Sequence, residues 1–352
     1  MGMKALFGKY KAPMSMLLVQ LLATGMFLLS KAVLNEGAFV FSLLTYRLII
    51  ATIFLAPFAY FIERNMARKL SWVAVVWIFF NGLSGTTMAM GLYYYGLRNT
   101  SASFATNFLN LIPVITFILS TIVRIEKLGL ESKGGRVKIA GTILCVAGAL
   151  TISLYKGMPL HMWTSHVHNP QISTKRRTTG EMARGSCMLV GCCLSTAVWF
   201  IIQVRLFKVY PSMYWATMLS CLAGCIQSTI VGIAIDRRKA TWRLGWDLQL
   251  LTIVYSAVFS TGANFCLISW AVAKRGPTYP SMFNPLSLIF VTILESFFMG
   301  EEIFIGSILG MIMIIGGLYA FLWGKRNEPA PSIVRPCHRK QLSQPNVQAL
   351  GT

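Results

Sequence analysis

Ten apolar stretches, each near the length that crosses a bilayer, leave a chain of this kind little choice of architecture. They run over 13–33, 39–61, 72–95, 101–123, 137–155, 185–204, 212–235, 248–270, 278–299 and 304–323. About 30 Å of hydrocarbon takes about twenty helical residues. In lipid every backbone N–H needs a partner within its own segment, so each stretch reads as a helix. Only 12% of the 352 residues are charged and 55% are hydrophobic, against about 25% charged in soluble domains. The expected class is an all-α multi-pass membrane protein with ten transmembrane helices. The first stretch follows Lys4, Lys9 and Lys11 but has no small-residue cleavage site before Lys31, so it reads as a retained helix rather than a signal peptide. Leu6 breaks the N-myristoylation pattern.

The net charge of +21 is spread over the connecting loops, which argues against a nucleic-acid-binding module and for a topology signal. With the N-terminus inside, the first half places Lys4, Lys9, Lys11, Arg64, Arg68, Lys69, Arg124, Lys127, Lys133, Arg136 and Lys138 on the cytoplasmic side, and only Lys31 and Arg98 outside. The second half is mixed: Lys156, Lys175–Arg177, Arg184 and Arg237–Lys239 fall outside, Arg205, Lys208, Lys274 and Arg275 inside. Because early helices dominate orientation, both termini are expected in the cytoplasm. Seven of the eight cysteines lie in or at apolar stretches without a Cys-x-x-Cys spacing, and they read as small packing residues.

The chain repeats itself. Shifting the first half by 174 positions brings Lys31 onto Arg205, Leu70 onto Leu244, Trp72 onto Trp246, Thr87 onto Thr261 and Asn110 onto Asn284. A shift of 169 then brings Gly141 onto Gly310, Gly148 onto Gly317 and Lys156 onto Lys325. Each copy holds five apolar stretches, an odd number, so the copies enter the membrane in opposite directions as an inverted repeat. The resulting division is a cytoplasmic N-terminus at 1–12, repeat 1 at 13–155, an extramembrane loop at 156–184, repeat 2 at 185–325 and a disordered cytoplasmic tail at 326–352. The tail is polar and carries Pro329, Pro331, Pro336 and Pro345.

Two stretches in matching places of the halves carry polar groups at membrane depth, Ser103–Pro113 and Pro277–Ser287. Ser103, Thr106, Asn107 and Asn110 fall at i, i+3, i+4 and i+7 and share one helical face. Ser281 and Asn284 occupy the second stretch. Pro113, Pro280 and Pro285 are expected to break the helices, freeing the carbonyls of Leu109, Gly276 and Ser281 to face protein, water or solute. These residues, with Thr87, Gln203 and Asn264 on neighbouring helices, form the candidate solute-binding set. Interhelical hydrogen bonding for packing is the alternative use of any one of them.

Arg47 lies about nine residues in from the turn at Asn35–Gly37, roughly 13 Å deep. Two readings stand: snorkelling or pairing with Glu36 or Glu295, and holding a solute carboxylate with its planar fork. His161, His166 and His168 share a loop with one distant acid, Glu181, and no cysteine, so no metal site is expected there. Neither His-Glu-x-x-His nor Gly-x-Ser-x-Gly occurs, and the chain does not read as an enzyme.

Lys31, Tyr46-Arg47, Pro57 and Glu63, then Gly-Trp-Asp-Leu-Gln-Leu at 245–250, Lys-Arg-Gly-Pro at 274–277, Ser-Met-Phe-Asn-Pro-Leu-Ser at 281–287 and Leu-Tyr-Ala-Phe-Leu-Trp-Gly-Lys at 318–325 form a recognisable series. Over about 13–325 the chain resembles the plant nodulin-like, walls-are-thin-related transporters, members of the drug/metabolite transporter superfamily with two EamA repeats. The resemblance implies a transporter of small organic solutes, with amino acids and auxin-related compounds the associated substrates. It also implies the plasma membrane as location, with the vacuolar membrane as alternative. The implied partners are a solute and the lipid bilayer, with no cofactor and no nucleic acid, and homo-oligomerisation is left open. Without a paired intramembrane acid, a bidirectional facilitator is expected over a proton-coupled exporter. A solute receptor is the rival reading, and the inverted repeat argues against it.

Overall fold

A computed structural model describes residues 2–35, 37–64, 70–100, 105, 108–125, 132–155, 159–160, 179–238, 242, 244, 248–299 and 303–326. The helices are α1 (Gly2–Asn35), α2 (Val40–Ile62), α3 (Trp72–Gly82), α4 (Ala89–Asn99), α5 (Ile112–Ile122), α6 (Lys133–Leu154) and α7 (Thr179–Val209). There follow α8 (Met213–Ile235), α9 (Leu248–Tyr255), α10 (Asn264–Arg275), α11 (Thr278–Ser281), α12 (Asn284–Met299) and α13 (Ile305–Arg326). Wider π-helical turns, Leu83–Met88 and Ser256–Ala263, join α3 to α4 and α9 to α10 into continuous rods.

Among the described residues seven helices are long and apolar enough to cross a membrane: Ala12–Leu34, Val40–Ile62, Trp72–Asn99, Gly180–Val209, Met213–Ile235, Leu248–Arg275 and Ile305–Lys325. The sequence reading expects ten. Two of the other three stretches hold shorter apolar helices, Ile112–Ile122 and Thr278–Leu294. The third, α6, begins with Lys133, Arg136 and Lys138 in its first two turns. Large apolar side chains such as Ile53, Phe61, Trp72 and Ile230 are exposed, while Asn, Gln, Ser and Thr side chains are buried. That inside-out pattern suits a lipid solvent, in which polar groups gain by facing one another.

Beside the helices stands a two-residue antiparallel pair, β1 (Pro159–Leu160) with β2 (Ile303–Phe304), too short to change the all-α class. The loop assigned to 156–184 contains β1 and the first turn of α7, while 161–178, with its histidines and basic cluster, lies outside the described residues, as does the tail from 327. The three prolines stand at helix starts or in the short α11. Pro113 sits in the first turn of α5, and Pro285 follows the first residue of α12. At those positions a missing N–H costs nothing, since the first turn has no intrahelical acceptor. Phe283 N–H donates to Pro280 O at 3.1 Å and Leu286 N–H to Phe283 O at 3.0 Å, closing the break between α11 and α12. Gly276, at φ +88°, ends α10 in a backbone region that L side chains rarely adopt.

Repeat-related helices cross antiparallel. Along α6 and α13, a Cβ on Gly141 would meet Gly317 O, one on Gly148 would meet Gly310 O, and one on Gly324 would meet Gly134 O. The Cys145 thiol donates to Ile314 O at 3.4 Å between them. Backbone thus lies against backbone, and the glycines are what permit it. Helices α2 and α8 pair likewise: Thr229 Oγ1, in the second half of α8, donates to Thr45 Oγ1, near the start of α2, at 3.3 Å, and Glu63 reaches the start of α8.

That last contact is a helix cap supplied from the other half. Glu63 accepts from the N–H groups of Met213 (3.1 Å), Tyr214 (3.1 Å) and Trp215 (3.4 Å) and from the Ser212 hydroxyl, while Trp215 Nε1 donates to Glu63 O at 3.0 Å. A carboxylate at a helix N-terminus satisfies orphan donors and meets the positive end of the helix dipole. Glu63→Ala is expected to cost about 1–2 kcal/mol, and Glu63→Gln, which keeps an acceptor oxygen, less. Thermal unfolding of the detergent-solubilised protein measures both.

Candidate functional site

The main cavity, of about 130 Å³, lies where six rods converge. From the first half come Val19, Gln20, Ala23, Met26 and Phe27 on α1, Gly85 to Tyr93 along the π turn and α4, and Leu109 and Ile112 at the start of α5. From the second half come Cys192, Thr196, Trp199 and Phe200 on α7, Ser260 to Ile268 along the π turn and α10, and Asn284 and Ser287 on α12. The 174-residue shift relates these rods pairwise, so corresponding parts of the two repeats face each other across the space.

The π turns reach the wall on both sides. In a π turn the hydrogen bond spans five residues: Ala89 N–H donates to Ser84 O and Asn264 N–H to Phe259 O. Such bulges re-aim side chains and concentrate at functional sites. Here they present Gly85 and Ser260 to the cavity. A side chain at Gly85 would collide with the Trp199 indole, so glycine lets that ring close the wall.

The lining divides into an aromatic part and an amide part. Trp199 packs against Phe200 (centroids 5.0 Å apart) and Phe265 (5.1 Å), and Phe27 against Tyr93 (5.4 Å). Gln20 Nε2 donates to Asn284 Oδ1 at 3.3 Å, joining α1 to α12. Asn264 Nδ2 donates to Val19 O at 3.2 Å, and its Oδ1, buried in the cavity wall, has no partner among the described residues. A buried carbonyl without a donor is uncommon in a folded protein.

Of the sequence-predicted set, Asn264 and Asn284 line the cavity. Asn110 does not, although its neighbours Leu109 and Ile112 do; it is buried with both side-chain polar atoms unpartnered among the described residues. Thr87 turns towards α8, within 3.2 Å of Gln227 Oε1 and 3.4 Å of Gly224 O. Ser281 donates to Thr278 O at 2.9 Å, away from the cavity. Gln203 lines a second, much smaller void. Ser103, Thr106 and Asn107 lie outside the described residues. Gln20 is absent from the predicted set; its signal was a lone amide in an apolar stretch.

Arg47 stands behind the wall, 3% exposed. Its Nε donates to Thr261 Oγ1 at 2.5 Å and its Nη1 to the Tyr94 hydroxyl at 3.0 Å. Both partners adjoin lining residues, Ser260 and Tyr93, and neither carries a charge.

A family model described as the EamA-like transporter family matches this chain twice, over residues 11–154 and 183–323. The chain belongs to the EamA-like transporter family. The transporter is 39% identical over 319 residues to a WAT1-related protein of Arabidopsis thaliana, covering 88% of this chain and 89% of the relative. It is 34% identical over 328 residues to the Protein WALLS ARE THIN 1 of the same plant, covering 91% and 84%. A solved protein crystal structure superposes with a TM-score of 0.62 at 18% identity, over 91% of this chain and 99% of its own; this likeness shows the fold alone. Each matched segment of the transporter supplies three of the rods around the cavity.

Proposed function

We propose that the protein carries a small organic acid with an apolar body, an amino acid or an auxin-related compound, by alternating access between two halves. The halves, 13–155 and 185–325, are five-helix units inserted in opposite directions, ten spans in all, with both termini cytoplasmic. The antiparallel crossing of repeat-related helices α6 and α13 supports the inversion. A bilayer location at the plasma membrane follows the family resemblance.

The observation that carries the reading is the cavity itself, walled by matching helices of both repeats. Its roughly 130 Å³ is comparable to the apolar cavity of about 150 Å³ that takes a benzene ring, so one aromatic ring or branched chain fits beside the amides. The unpaired Asn264 Oδ1 suits an N–H donor on the solute. Arg47, buried with neutral hydrogen-bond partners at Thr261 and Tyr94, favours an anion nearby, because a desolvated guanidinium gains most from an opposite charge. With no paired acids among these groups, movement is downhill and in either direction.

The test is uptake of labelled amino acids and auxin into vesicles holding purified protein, with and without an imposed pH gradient. Uptake that ignores the gradient is expected. Arg47→Met is expected to cut uptake of the carboxylate-bearing solute tenfold or more, with a smaller effect on its amide analogue. Equal losses for both would remove Arg47 from the carboxylate role, and binding without flux would remove transport.

A further inference from the structure

Beside the main cavity, and separated from it by the Phe265 ring, lies a void of about 10 Å³. That is close to the space of one water-sized particle. Its polar lining comes from both repeats: Asn81 on α3, Gln203 on α7, Thr217 and Ser220 on α8, and Ser269 on α10. All five side chains are at most 5% exposed.

Hydrogens of this cluster are in part spent on its own members and on the backbone. Asn81 Nδ2 donates to Ser220 Oγ at 2.8 Å, Gln203 Nε2 to Ser269 Oγ at 3.4 Å, and the Thr217 hydroxyl to Met213 O at 2.7 Å. Two amide oxygens remain, Asn81 Oδ1 and Gln203 Oε1, both buried and both without a partner among the described residues. Amide and hydroxyl oxygens of these residues therefore gather around a space too small for an organic solute. Oxygen-only neutral ligands suit a hard monovalent cation, whereas a divalent ion would want carboxylates, and none lines this void.

We propose that the void is a binding site for one sodium ion, coordinated by Asn81 Oδ1 and Gln203 Oε1 with hydroxyl oxygens of the same cluster. Occupancy ties α3 of the first repeat to α7, α8 and α10 of the second. The inference is independent of what the main cavity carries, since its readout is stability rather than transport.

The experiment is thermal unfolding of the purified full chain in detergent, titrated with sodium chloride against choline chloride at constant ionic strength. Sodium is expected to raise Tm saturably, by about 2–4 °C at ten times its Kd, and potassium, being larger, to do less. Gln203→Leu is expected to abolish the sodium-specific rise. Should that variant not fold, Ser269→Ala, which deletes one oxygen only, is expected to move the sodium midpoint to higher concentration. Equal Tm in sodium and choline throughout would overturn the proposal and leave the void to a water molecule. A sodium rise that survives Gln203→Leu, or a midpoint unmoved in Ser269→Ala, would place the ion elsewhere and overturn it equally.

Discussion

Asn284→Leu lowers solute uptake by about tenfold to a hundredfold while the protein remains folded. The substitution keeps the branched shape of the side chain, with added bulk, but deletes the oxygen that accepts from Gln20 Nε2 at 3.3 Å. It strands that donor at the cavity wall and removes a polar group from the site. An unpaired buried donor costs about 1–3 kcal/mol, and each 1.4 kcal/mol is a factor of ten. Initial uptake rates in vesicles, normalised to monodisperse protein on gel filtration, measure the effect. The double variant Gln20→Leu with Asn284→Leu is expected to recover stability without recovering uptake, because apolar groups then meet apolar groups while the solute still lacks its partner. Uptake unchanged in Asn284→Leu would take this residue out of the site.

Gly141→Ala is expected to be strongly destabilising in the α6–α13 seam. Its new Cβ would stand 2.6 Å from both Gly317 O and Phe321 N. Those are backbone atoms, so no rotamer change relieves the clash and the helices must move apart, at about 1–3 kcal/mol. Gly316→Ala is the control on the same helix: its nearest neighbour would be Leu144 Cδ2 at 3.9 Å, an ordinary contact. Alanine's better helix propensity should leave that variant neutral or slightly more stable. Thermal unfolding in detergent distinguishes the pair, and equal Tm values for the two would contradict close backbone contact at Gly141.

Much of the architecture could be read from residue patterns because lipid imposes a simple rule, and the apolar stretches obey it wherever the helix is long and uninterrupted. The two-copy pattern was equally legible, since Trp, Asn and Gly recur in one register. What could not be read was which way a polar residue turns. Thr87 and Asn264 both sit in rods beside the cavity, yet one faces α8 and the other the cavity. The π turns explain part of this: one extra residue in a turn rotates everything beyond it by about 100° relative to a regular 3.6-residue helix. No propensity announces such a turn, whose position depends on the fit between Gly85 and Trp199 on a different helix. Asn110 and Asn284 make the same point from the other side, since equivalent places in the two copies end as an unpartnered buried amide and a cavity amide. The aromatic wall at Trp199, Phe200 and Phe265 was invisible for a simpler reason: in a chain this apolar, lining and packing aromatics look alike.

The seam between α6 and α13 also sets when the molecule can be completed during its synthesis. Gly141 fits against Gly317, and Gly148 against Gly310, but α6 ends at Leu154 and the partner helix begins only at Ile305. At typical translation speeds of about 5–20 residues per second, α6 waits roughly 10–35 s in the membrane before its partner arrives. Throughout that interval its glycine face is open to lipid and to any other small-residue helix in the neighbourhood. A ribosome that stalls late, or a message truncated before residue 305, therefore releases a protein with a ready-made adhesive surface.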